Sequence, residues 1–131
     1  MSGNKKRSAP LEKTSEQMKV WSGMLAEEVL SWPDVSAKPM FGLTALYRGT
    51  VIFAALPKTR ALGSPNAVAF KLVDVPAKIT TQLKRDARIQ ETMMAAAKWF
   101  AFEMENDEDL RGVLEWLGVA YAAAGVLKKK R

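Results

Sequence analysis

Pro33 constrains this chain more than any other residue, because the apolar pattern changes period across it. Before it, Met18, Trp21, Leu25, Val29 and Trp32 recur at helical spacing, with Lys19, Glu27 and Glu28 largely off that stripe. Thr14 or Ser15 supplies the cap, and Glu16 and Gln17 fill the first turn. Proline cannot continue a helical hydrogen-bond ladder and restricts the residue before it, so the helix stops at Trp32. After it come short strands: Val35 to Phe41, Leu43 to Tyr47 and Val51 to Leu56. Pro39 marks an edge or bulge, Gly42 a break or close packing point, and Arg48-Gly49 a tight turn. A helix followed by an antiparallel meander is the expected start of the fold.

Residues 57–66, with two Pro and one Gly, read as a loop, and Ala67 to Val73 as a fourth strand. Pro76 suits the first turn of a helix running to about Ala87, with Ile79 and Leu83 on a narrow stripe. Lys98 to Glu105 alternates as a strand, with Phe100, Phe102 and Met104 on one face. Asn106 or Asp107 caps a last helix whose stripe is Leu110, Val113, Leu114, Leu117, Tyr121 and Ala124, closed by Gly125. The order is α-β-β-β-β-α-β-α. Each helix has one stripe to bury, so the expectation is an α+β, two-layer fold with helices packed on one face of an antiparallel sheet. One domain spans 14–126, between basic tails at 1–13 and 127–131.

Composition narrows the chemistry. The chain has no histidine and no cysteine. The usual neutral-pH base, thiol chemistry, disulfides and the commonest zinc ligands are therefore missing. No apolar run approaches the ~20 residues of a membrane span, and no apolar stretch follows the basic start as in a secretory signal. The expectation is a cytoplasmic protein with no membrane, metal or cofactor. The net charge of +6 belongs to the ends. Lys5, Lys6, Arg7 and Lys13 open the chain and Lys128, Lys129, Lys130 and Arg131 close it, leaving 12 basic and 13 acidic side chains between. Such tails solubilise a protein or add salt-sensitive, non-specific affinity for DNA.

Met40-Phe41-Gly42, then Leu46-Tyr47-Arg48-Gly49, then Ile52-Phe53-Ala54 resembles the opening of the TfoX N-terminal domain family. Phe70-Lys71-Leu72-Val73-Asp74 is similar to that family's Leu-Lys-Val-Asp strand, and Trp99 to Ala124 to its closing strand and helix. The resemblance covers about residues 15–125, and the closing strand is also similar to YjbR-like proteins of the same broad superfamily. Two places depart from the pattern: Leu43-Thr44-Ala45, where glycine is usual, and the 57–66 loop. The resemblance implies a strongly bent sheet and an association with regulators of natural competence. Those usually carry a second domain, for which this length leaves no room. It implies no chemistry.

Several residues invite a functional reading. Arg48, at a hairpin corner, suits a phosphate or an acidic partner, or is simply an exposed turn residue. Lys58 and Arg60 sit with Thr59, Ser64 and Asn66 on the longest loop, where an anion site is conceivable but P-loop spacing is missing. Lys71 lies within an apolar strand and points to solvent or to a carboxylate. Glu103 and Glu105 share a strand face, while Asp107 to Asp109 serve the helix start. Trp116 falls off the last helix's stripe and is the best candidate for an exposed protein contact. The expected function is a non-catalytic regulatory or protein-interaction module, with a homodimer as one form. The alternatives are DNA association through the tails and an anion-binding or small-ligand domain using the 57–66 loop.

Overall fold

The structure, a computed structural model, describes residues 11–130, with side chains to residue 127. In chain order its elements are β1 (Leu11–Lys13), α1 (Glu16–Val29), β2 (Val35–Met40), β3 (Leu43–Arg48), β4 (Val51–Pro57), β5 (Arg60–Leu62), β6 (Ala67–Lys71), α2 (Ala77–Arg85), β7 (Ile89–Glu91), β8 (Trp99–Glu103) and α3 (Asp109–Lys130). A single 3-10 turn, Ala95–Ala97, lies between β7 and β8. The main sheet has the strand order β2-β3-β4-β6-β8-β7 and every pairing is antiparallel; β1 and β5 form a separate ribbon.

The expected α+β architecture is present, with a bent antiparallel sheet flanked by helices. Ser15 caps α1 by accepting from the Met18 N–H at 3.1 Å, and the stripe Met18, Trp21, Leu25 and Val29 is buried. Alternation along the strands sorts the sheet's faces. Leu46, Ala54, Val68, Phe70 and Phe102 meet Val113, Leu117, Ala120 and Ala124 of α3 in one core. Leu43, Ala55, Ala69 and Trp99 point the other way into a second cluster with Leu62. The register slips at Leu46/Tyr47, so Phe53 is an extra residue in β4. Phe53 and Ala54 therefore both face the helices, while Ile52 and Ala55 face away. Such a bulge bends the strand and sharpens its twist.

Several expectations change. Leu11–Lys13 is not tail but strand, because the 57–66 segment contains β5 and the two pair, Leu11 with Leu62 and Lys13 with Arg60. The first helix ends at Val29, leaving Trp32 just beyond it. The strand drawn from Val35 to Phe41 ends at Met40. The helix expected to run to about Ala87 ends at Arg85, and the unexpected short strand β7 follows it. Gly125 lies inside α3 rather than closing it, so Lys128, Lys129 and Lys130 continue the helix. Lys5, Lys6, Arg7 and Arg131 lie outside the described residues. Asp109–Leu127 is long and apolar enough to cross a membrane by length and composition, contrary to the reading that no such stretch exists. In this fold that helix lays Val113, Leu117, Ala120 and Ala124 on the sheet.

Candidate functional site: the open face of the sheet

The residues singled out from sequence do not converge. Arg48 leaves β3 toward the helices: its Nη1 donates to the Tyr121 carbonyl at 3.0 Å, and its guanidinium lies 4.0 Å from the centre of the Tyr121 ring. Lys58 faces the cleft between α1 and the end of β4, beside Lys19, Ser22 and Thr44. Arg60, two residues on, lies in the β1–β5 ribbon opposite Lys13. Trp116 is buried, 8% exposed, and stacks on Phe70 with ring centres 5.7 Å apart. It was expected to be exposed because it falls off α3's stripe. The segment after α2 covers it, and its indole N–H donates to Asp86 at 2.9 Å.

Asp86 belongs to a second arginine clamp on α3. Arg88 holds it through two bonds of 2.9 Å and lies 4.7 Å from the Phe102 ring. Hydrogen bonding from Arg88 outweighs the effect of burial and, with the Trp116 N–H, lowers the Asp86 carboxyl from 3.8 to about 2. The acidic run is also structural. Asp109 accepts from the backbone N–H groups of Glu105 and Asn106, and Asp107 from the Trp21 indole at 2.7 Å. Glu103 accepts from the Ser64 hydroxyl. Among the described residues, no group of three or more carboxylates is placed to hold a metal ion.

The face of the sheet away from the helices is different. The β1–β5 ribbon, the β2–β3 turn and Met94 border an apolar groove of about 310 Å³. Its floor is Leu43, Ile52, Ala55 and Trp99, and Leu11, Leu62 and Met40 contribute to its walls. At one lip stands Phe41, 82% exposed; Met93, 73% exposed, precedes Met94 at the other. Phe41 and Gly42 are the two residues of the β2–β3 hairpin turn, with φ of 51° and 85°. Positive φ at both centres defines a turn that favours Asn, Asp or Gly first, and a bulky residue there is strained. The turn is pinned from below: the Gly42 carbonyl accepts from the N–H groups of Lys58, Thr59 and Arg60 at 3.2, 2.9 and 3.0 Å. A side chain at Gly42 has no room, since its Cβ would lie 2.6 Å from Arg60 Cγ.

Sequence reasoning set Phe41 at the end of a strand and in a Met-Phe-Gly step, and missed the groove. The available signal was the two-residue gap, ending in Gly, between the alternating runs of β2 and β3. Lys71 does face this open side, 5.9 Å from the centre of the Trp99 ring. Lys98, beside Trp99, is a further non-glycine residue of positive φ, 69°. Compared with family models, curated proteins and solved structures, the chain matches none.

Proposed function

We propose that this chain is a non-catalytic protein-interaction module with a regulatory role, of the kind its resemblance to TfoX N-terminal domains implies, and that it docks its partner on the open face of the sheet. The observation that carries this is Phe41: a large aromatic held out in solvent, in a backbone conformation unfavourable to it, on the lip of an apolar groove. Backbone strain of this kind clusters at ligand clamps and switch regions, and exposed aromatics and methionines suit adaptable protein contacts. On the helix side, both arginine clamps and much of the acidic run are bound within the fold.

A photo-cross-linking side chain at position 41, compared with the same group at exposed Lys84, tests the reading in cells that make the protein. Discrete adducts from position 41 alone, lost when the groove floor is altered by Ile52→Glu, are the expected result. Identical adduct patterns from both positions sink it.

A further inference from the structure

The charges around the groove say what sort of partner it takes; this rests on the docking reading above. In the β1–β5 ribbon Lys13 sits directly opposite Arg60, on the side of the ribbon that carries Leu11 and Leu62 into the groove wall. Like charges directly opposite each other destabilise a strand pair. Neither has a carboxylate within ion-pair distance among the described residues, and both are exposed. The Lys71 ammonium lies 5.9 Å from the centre of the Trp99 ring at the edge of the floor, Lys98 directly precedes Trp99 in the chain, and Lys38 shares the face of Met40. Of the chain's four Trp, the indoles of Trp21, Trp32 and Trp116 donate to Asp107, Glu28 and Asp86. Trp99 alone donates to no protein group among the described residues.

We infer that the groove takes an acidic amphipathic segment of another protein, one that sets large apolar side chains between Phe41 and Trp99 and Asp or Glu against Lys13, Arg60, Lys71 and Lys98. Electrostatic complementarity of this kind selects partners and suppresses wrong ones. A second copy of this chain is the wrong occupant, because it would bring an identical basic rim against this one. A purely apolar ligand fits the floor but leaves the opposed Lys13 and Arg60 without a counter-charge.

The test is selection of a random peptide library displayed on phage against the full chain, followed by affinity measurement of the enriched peptides. Expected are sequences rich in Asp and Glu around Leu, Phe or Trp, which lose binding to Phe41→Asn and bind about tenfold more weakly to the double variant Lys13→Gln, Arg60→Gln. Circular dichroism confirms that both variants are folded. Enriched apolar peptides without acidic bias, indifferent to the double variant, leave the docking reading standing and overturn the acidic partner. Enrichment of basic peptides overturns it equally. If no enriched peptide depends on Phe41, the docking reading itself fails.

Discussion

Replacing Phe41 by asparagine raises stability and removes partner binding, an unusual combination for an aromatic-to-polar change. Holding a non-glycine residue at positive φ costs roughly 1–2 kcal/mol. Asparagine tolerates that conformation far better and, followed by Gly42, forms the Asn-Gly pair that two-residue hairpin turns favour. The loss on the other side is small. A fully buried Phe side chain is worth about 1.5–3 kcal/mol, and one that is 82% exposed retains under about 0.5 kcal/mol of that. The net is a gain of roughly 0.5–1 kcal/mol, or about 2–4 °C in Tm for a domain of this size. Differential scanning calorimetry or urea melts of the variant measure it, and Phe41→Leu serves as control because it keeps the strain while removing the ring. A fall in Tm of the same size for Phe41→Asn refutes the reasoning. It would mean that Phe41 is a packing residue of the turn and that its exposure says nothing about a partner.

Three further outcomes follow from the same geometry. Asp86 titrates at about 2 in the folded protein against an ordinary 3.8, so its stabilising effect is complete above pH 4 and is lost as pH falls from there toward 2. Urea melts of Asp86→Asn should show lower stability at neutral pH and a smaller loss across that acid range. Two helix glycines should respond oppositely to alanine. At Gly125 a Cβ would lie 2.7 Å from Arg48 Cζ and displace the clamp, lowering stability by about 1–3 kcal/mol; Gly23 has nothing within 4 Å and should gain up to about 1 kcal/mol. Fluorescence anisotropy with a DNA duplex should show salt-sensitive binding that vanishes when Lys5, Lys6, Arg7 and residues 128–131 become glutamine, because the body between, residues 8–127, carries 13 basic and 14 acidic groups. Binding that survives would place a nucleic-acid surface on the folded body.

The layers were legible in the sequence where local pattern and long-range packing agree. Met18, Trp21, Leu25 and Val29 were placed correctly because one stripe faces one sheet. Pro39 read as an edge residue, and β2 is an edge strand. What escaped depends on partners distant in sequence. The three-residue strands β1, β5 and β7 carry no periodicity of their own and exist through their pairings with segments far along the chain or with β8. Trp116 belongs to the correct helix but lies off its stripe. Its burial comes from Asp86 and Arg88, 30 and 28 residues earlier in the chain. Gly125 was read for its freedom at a helix end, whereas its use is steric: it clears space for a guanidinium arriving from β3. Phe41 escaped for the opposite reason. Strand propensity of an aromatic outweighed a turn signal, and the structure resolves that conflict in favour of the turn.

That conflict is informative because of where it lies. On the helix side, the arginines and indoles are bound within the fold, although the buried Ser22 hydroxyl of α1 has no hydrogen-bond partner among the described residues. Arg48 is bound to the Tyr121 carbonyl, Arg88 to Asp86, and three indoles to three carboxylates. On the open face, two cations oppose each other across a ribbon, an indole has no protein acceptor among the described residues, an aromatic stands in solvent and two large residues hold positive φ. Each departure alone costs little and has ordinary precedents. Positive φ at Asp34 and Asp74 lies outside the groove's lining; the features that do border the groove fit a surface completed by a partner, for which satisfaction of the same groups within the chain would remove the binding energy.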